Sequence, residues 1–512
     1  MERKKLIIGA LLLTVVIGVG YVLWGNSGTS DNMMSGSTVS PDEKIYVALE
    51  GEGAIAVLDG VKNKVIKTIP LTDERTGTEY MPHNVQVSPD GSVVWVTANA
   101  MAEMEHQSFR LIETAYANEG HEDTETMSDQ VIAIDPRTDT ITRRIPIGTN
   151  QHLAHVVQSS GDSAVFVVAQ ETDKIYVLNA DTMTLERSID LPSGSGPHGM
   201  RLSPDNKTLY VAFMSGEALG IVDVASGAVK SAKVDGAAVQ TAVTLDGSRV
   251  AVSVYDSKSV GIYDVSLGSL SYVRLPSGSQ GPVQLYPTED SRFIYVADQG
   301  VLNGREANNK LYKIDLQTLS VIETIEAGEA PHGVALNGDG TRAYVTNLKG
   351  DSVSVIDTAT AKEISEIKVG KEPNGVSVWN GDKAKPVTGL LEKAKITVYK
   401  SPTCGCCGNY IAELKRQGAD VLVEEISDVV LAEKKKELGI RPEFYSCHTS
   451  LMDGYVVEGH VPIEALVRLR TERPALIGIA LPGMPAGSPG MSGVKTAPFA
   501  VQTLEGELFG NF

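Results

Sequence analysis

The sequence predicts a mainly β protein: a seven-bladed β-propeller, a small α/β domain of thioredoxin-like order after it, and an N-terminal membrane anchor before it. Three observations carry this. A unit of about 40 residues, made of four alternating strand runs, recurs along most of the chain. The 512 residues include 50 glycines and 23 prolines, so turns are frequent, as in an array of short strands and unlike a helical bundle. All four cysteines (Cys404, Cys406, Cys407 and Cys447) fall in the last quarter, which marks a second domain of different chemistry.

The amino terminus comes first. Arg3-Lys4-Lys5 precedes an apolar run from Leu6 to Trp24. At about 1.5 Å per residue such a helix approaches the roughly 30 Å of a bilayer core. The basic flank stays cytoplasmic, which sends the rest of the chain across the membrane. Residues 1–24 therefore read as a signal anchor, with a cleaved signal peptide as the alternative. Residues 25–43 (GNSGTSDNMMSGSTVSPDE) read as a flexible tether. The expected location is extracytoplasmic, periplasmic or on the outer face, with the helix in the cytoplasmic membrane.

The repeat occupies residues 44–380. Its clearest unit, PHGVALNGDGTRAYVTNLKGDSVSVIDTATAKEISEIKVG (331–370), holds four alternating runs separated by the turn signals NGDG, LKGD and DTAT. The acid that closes each third strand recurs at Asp59, Asp135, Asp223, Asp264, Asp315 and Asp357, with Asn179 in the remaining copy. That makes seven units. The first lacks its innermost strand, and EPNGVSVWN (372–380) is an innermost strand without a blade. The two ends combine into one blade, closing the ring and removing its exposed edges. Tyr344-Val345-Thr346-Asn347 spells the signature of the YVTN family of β-propeller repeats, which the array resembles over about 340 residues. The resemblance implies a fold and leaves activity open.

Reading the residue at the start of each innermost strand round the ring gives Asn374, His83, His155, His198, Val239, Val283 and His332, with His152 as an addition. Imidazoles converging at one height on a channel mouth suit copper or zinc. The plainer alternative is that each histidine of a P-H-G turn hydrogen-bonds the start of its own strand. Hub histidines also resemble those in the copper-cluster propeller of nitrous oxide reductase. The further histidines and the binuclear copper domain that go with that activity are missing from this sequence. An insertion, Met101–Ser128, carries Met101, Met104, His106, His121 and Met127 on the expected histidine face. These are soft groups suited to copper, or else incidental in an acidic surface loop.

Residues 381–394 form a linker, 395–497 the second domain and 498–512 a tail. The order in the domain is strand, cysteine turn, helix, strand, helix, hairpin, helix. The cysteines open a helix, where free N–H groups and the dipole favour thiolate. Cys404 and Cys407 make the C-x-x-C pair of a dithiol oxidoreductase. Cys406 is a third thiol, and Cys447-His448 supplies a fourth, so a Cu(I) or zinc thiolate site competes with that reading. CGCC, SCHTS, YVVEGHVP and ERPALIGIALPGMPAGSPGM resemble a family of exported copper-associated proteins that includes the CopG-type copper-resistance proteins. The resemblance implies a thioredoxin-like fold and copper held by Cys404, Cys406, Cys407 and Cys447, with His460, Met484 and Met491 as nearby candidates.

The net charge of −19 excludes a phosphate-backbone partner. The expectation is an extracytoplasmic copper-capture, resistance or redox protein, with Cu(I) as the favoured ion and the propeller as a docking face for an exported partner or as a second metal site. A thiol–disulfide oxidoreductase with a recognition propeller, and a non-catalytic scaffold, are the alternatives.

Overall fold

The computed structural model describes residues 43–101, 127–381, 391–402, 404–491 and 497–512. The expected anchor, the tether up to residue 42, most of the linker, and Met104, His106 and His121 lie outside them. Among the described residues no helix is long and apolar enough to cross a membrane.

Seven four-stranded antiparallel sheets form the ring. Blade one joins the two ends of the array: Pro373–Asn380 is its innermost strand and pairs with Glu43–Leu49, from Glu43 opposite Asn380 to Leu49 opposite Pro373. The innermost strands of blades two to seven are Tyr80–Val87, Leu153–Gln158, Pro197–Leu202, Ala238–Val243, Pro282–Pro287 and Pro331–Leu336.

Alternation explains the blades. Second and third strands, such as Arg342–Asn347 (RAYVTN) and Ser352–Asp357 (SVSVID), are buried on both faces because sheets stack on each side of them. Fourth strands, such as Lys362–Lys368, are largely exposed and charged, which protects the outer edge against pairing with other chains. The recurring acid has a local role. Asp59 Oδ1 accepts from the amides of Val61 and Lys62, and Asn179 Oδ1 does the same for Asp181 and Thr182, fixing the turn into the fourth strand.

The YVTN string is also structural. Tyr344 Oη donates to Glu43 Oε1 of the next blade at 2.5 Å. Thr346 Oγ1 accepts from Gly333 N and donates to Asn374 O. Asn347 Nδ2 donates to Ser352 and Ser354. These bonds lace second strands to their neighbours.

The cysteine domain is a seven-stranded mixed sheet with three helices. Lys395–Lys400 pairs in parallel with Asp420–Glu425 and antiparallel with His448–Met452, which continues into Tyr455–Glu458 and Gly478–Ala480. Helices α1 (Gly405–Arg416), α2 (Asp428–Glu437) and α3 (Ile463–Glu472) accompany them. Residues 500–511, in the expected tail, form a hairpin that extends the same sheet.

Helix α1 rests on the propeller, against the turns that leave the innermost strands of blades five and six. Asn409 accepts from Ser291 Oγ at 2.7 Å and donates to Glu289 O. Gly405 and Gly408 permit the approach: a Cβ on Gly405 would lie 2.5 Å from Asp290 O, and one on Gly408 2.6 Å from Asp246 Oδ2. Beside these turns a cavity of about 220 Å³, lined by Leu245, Tyr286, Glu289 and Ser377 among others, marks this mouth of the channel.

Candidate functional site: a cysteine–histidine cluster

Helix α1 begins at Cys404, so three cysteines occupy its cap and first turn. Cys404 and Cys407 form a disulfide, whereas Cys406 and Cys447 are thiols. Sγ of Cys406 lies 3.5 Å from Sγ of Cys404. The donor atoms of Cys404, Cys406, Cys407 and Cys447 fall within 4.8 Å of one another, as do those of Cys407, Cys447, His448 and His460.

Cys447 precedes the strand His448–Met452 and points at both imidazoles. Its sulfur is 3.0 Å from His460 Nε2 and 3.4 Å from His448 Nδ1. The far nitrogen of His460 donates to Pro489 O at 2.7 Å. That bond orients the ring so that Nε2 points at the sulfur, as in a metal-binding imidazole. His448 is wholly buried, and its Nε2 has no hydrogen-bond partner. Burial, followed by the charges of His460, Lys435 and Lys400, holds it far below the usual imidazole range, so it is a neutral donor. A hydrogen bond from Cys447, and after it the His460 ring, outweigh burial and bring the Cys406 thiol down to about 4. Cys406 is therefore the thiolate, and Cys447 keeps the shared proton.

Behind the cluster lies a buried ion pair. Lys435 of α2 contacts Glu458 and donates to Thr449 Oγ1 at 2.9 Å. Glu458 also accepts from Ser446 N and Thr449 Oγ1, each at 2.6 Å, and so pins both ends of the segment that carries Cys447 and His448. Tyr410 packs on the two imidazoles, with ring centroids at 4.8 and 5.4 Å.

Of the expected residues, the fold thus brings together Cys404, Cys406, Cys407, Cys447 and His460. Met491 follows Pro489-Gly490, where a Cβ on Gly490 would meet Cys406 O at 2.8 Å, so its backbone borders the site. Met484 is 39% exposed, on a turn with φ +45°. Sequence reasoning left His448 out of the ligand set and missed Lys435 and Glu458. The His448 signal was its adjacency to Cys447 just outside the strand, where alternation does not separate neighbours.

The hub histidines form a second cluster at the opposite ends of the innermost strands. Every innermost strand carries a β-bulge at this position, for example between Pro82 and Val85, and between Pro197 and Met200. A bulge re-aims the side chain, here into the channel. His83, His155 and His198 are buried. Ring centroids of His83 lie 5.2 Å from His198, 6.2 Å from His155 and 5.8 Å from His152. His332 bonds Gln299 at 2.7 Å through Nδ1.

Fold and site together define a propeller fused to a small thiol–imidazole domain. The YNCE-like beta-propeller family model matches residues 124–386, and the chain belongs to that family. Residues 444–491 match the family described as protein of unknown function, DUF411. Solved structures with similar coordinates include Kuenenia stuttgartiensis hydrazine synthase (17% identity, TM-score 0.48, covering 64% of this chain and 99% of that one). Virginiamycin B lyase from Staphylococcus aureus is similar at 16% identity and TM-score 0.43, covering 57% of this chain and 87% of the lyase. A Lactobacillus plantarum protein is similar at 15% identity and TM-score 0.48, covering 66% and 99%. No curated protein matches the chain.

Proposed function

We propose that the protein is an extracytoplasmic copper-binding protein whose C-terminal domain, of thioredoxin-like order, captures Cu(I) in copper resistance or redox handling. The propeller is its docking platform. The observation that carries this is the convergence of Cys406, Cys447 and His460 Nε2 on one point. Soft sulfur donors with one imidazole select Cu(I), with zinc as the nearest competitor. Reduction of the Cys404–Cys407 bridge by an external two-electron thiol donor adds two more sulfurs. The basic-flanked apolar run Leu6–Trp24 supports the extracytoplasmic, membrane-anchored placement.

The bridge itself favours a second reading, a thiol–disulfide oxidoreductase in which Cys404 and Cys407 cycle and the propeller recognises the client. One experiment divides the two. The full chain, purified anaerobically in mild detergent and reduced, is titrated with Cu(I) against a chromophoric chelator. Copper capture takes copper from the chelator in a defined stoichiometry, and Cys447→Ser loses it. A chain that takes none, yet shows a reversible two-electron thiol couple, is the oxidoreductase.

A further inference from the structure

The hub cluster needs none of the cysteines and has its own logic. His83 Nε2 and His198 Nε2 face one another at 3.1 Å. The other nitrogen of each ring is already assigned. His198 Nδ1 donates to Val239 O at 2.9 Å, and His83 Nδ1 lies 3.3 Å from Glu50 Oε1. Asn374 Nδ2, which carries two N–H groups, donates to Glu50 Oε2 at 2.6 Å and lies 3.3 Å from His83 Nδ1. The His198 Nε2 lone pair points at His83 Nε2 in a buried channel, and what joins the two nitrogens is either a proton or a metal ion.

The distance discriminates among metals. Two bonds of about 2.0–2.1 Å that span 3.1 Å subtend an angle near 100°. This falls between the right angle of tetragonal copper(II) and the tetrahedral angle of zinc, and far from the linear geometry of two-coordinate Cu(I). His155 completes the wall: its Nε2 accepts from Gln240, whose own oxygen accepts from Thr241 N, and its buried Nδ1 has no hydrogen-bond partner. That N–H is a donor for a water or anion on the ion.

We infer that the propeller hub is a divalent transition-metal site, zinc or copper(II), held by His83 Nε2 and His198 Nε2, with Glu50 orienting His83 from behind through Nδ1.

The test uses the full chain with Cys406→Ser and Cys447→Ser, so that the thiol cluster neither contributes nor confuses. Zn(II) and Cu(II) are titrated separately, and Co(II) supplies a ligand-field spectrum free of thiolate charge-transfer bands. The expected result is one equivalent of metal, abolished by adding His83→Ala and His198→Ala. Glu50→Gln weakens it about 10- to 100-fold, the usual cost of losing a group that orients a ligand. The relative affinities of zinc and copper identify the ion. The inference is overturned if the cysteine-substituted chain takes up no equivalent, or if that equivalent survives the double histidine substitution. Circular dichroism checks that the histidine variant folds. Should it unfold, the Glu50→Gln titration decides, and an unchanged affinity there overturns the site. Failure of the cysteine copper reading leaves this result untouched, since Cys406 and Cys447 are already replaced and Cys404 and Cys407 stay in their disulfide.

Discussion

Replacing Lys435 by methionine should loosen the segment that presents Cys447 and His448. The Lys435 side chain is 4% exposed and that of Glu458 is fully buried. Methionine keeps the length and apolar stem of lysine and removes only the charge and the bond to Thr449. The carboxylate of Glu458 then remains buried with two donors and no counter-charge. Breaking a buried pair from one side costs about 3–5 kcal/mol. At 1.36 kcal/mol per decade, that raises the open population by roughly 100- to 5,000-fold.

Tryptophan fluorescence will not see this, because all three tryptophans (Trp24, Trp95 and Trp379) lie outside the cysteine domain. Hydrogen–deuterium exchange of the amides in His448–Met452 and Tyr455–Glu458 reads the opening directly. Those amides should exchange faster by the stated factor, while the propeller strands stay unchanged. Lys435→Met with Glu458→Gln should recover most of the protection, since no unpaired charge is left. Burial raises the Glu458 carboxyl above its ordinary range. An acid whose folded pKa is raised resists folding increasingly as pH climbs above its unfolded value. The single variant should therefore be less affected at pH 5 than at pH 8. Wild-type exchange in Lys435→Met, or equally fast exchange in the double variant, would refute the reasoning.

Two further outcomes follow from the packing and the charges. Gly405→Ala places a methyl against the main chain at Asp290, and overpacking of this kind costs about 1–3 kcal/mol. The domains should part, seen as faster proteolysis within residues 382–390 with intact propeller fragments, and an unchanged cleavage rate rules the docking out. Burial, and after it the charge of His83, brings His198 down to about 3. A histidine lowered in the folded state gives stability that is complete above its unfolded pKa near 6.5 and is lost as pH falls toward 3. The loss by pH 4 is roughly 3 kcal/mol for this one group. Urea midpoints of the metal-free chain should fall steeply between pH 6.5 and 4, and less steeply in His198→Gln. Parallel slopes would contradict it.

Much of the propeller was legible because each blade repeats the same local chemistry. The acid at Asp59, Asp135 and their equivalents is a turn cap, and a turn cap must sit at a fixed place in the sequence. Closure was legible for the same reason, since an unpaired first blade and a lone Pro373–Asn380 strand leave complementary edges. The convergence of the hub histidines on the channel mouth followed from the repeat, but the bulge that turns them inward did not, because an extra residue in one strand shows only once its partner is known. Lys435 was hidden in Lys434-Lys435-Lys436, which reads as a solvated helix end; only the packing of α2 on the sheet buries the middle one. His448 depends equally on tertiary packing, because a histidine beside a cysteine becomes a ligand only when its ring is turned inward. The hairpin in residues 500–511 has strands of four residues, too short for alternation to distinguish from a coil.

The placement of the two clusters constrains how they cooperate. Innermost strands of six to eight residues at about 3.3 Å each span roughly 20 Å or more. The hub histidines stand at the start of those strands, and α1 rests on the turns at their far end. Ligand exchange between metal sites needs donor atoms within a few ångströms, so a docked cysteine domain does not hand an ion directly to the hub. The linker between the domains raises the local concentration of one site at the other only when the cysteine domain is undocked. In the docked arrangement the cysteines occupy one face and the histidines the other, and each face is left to its own partner. A chain serving one metal route would gain copper transfer when Gly405→Ala releases the domain, whereas two independent sites would keep their separate affinities.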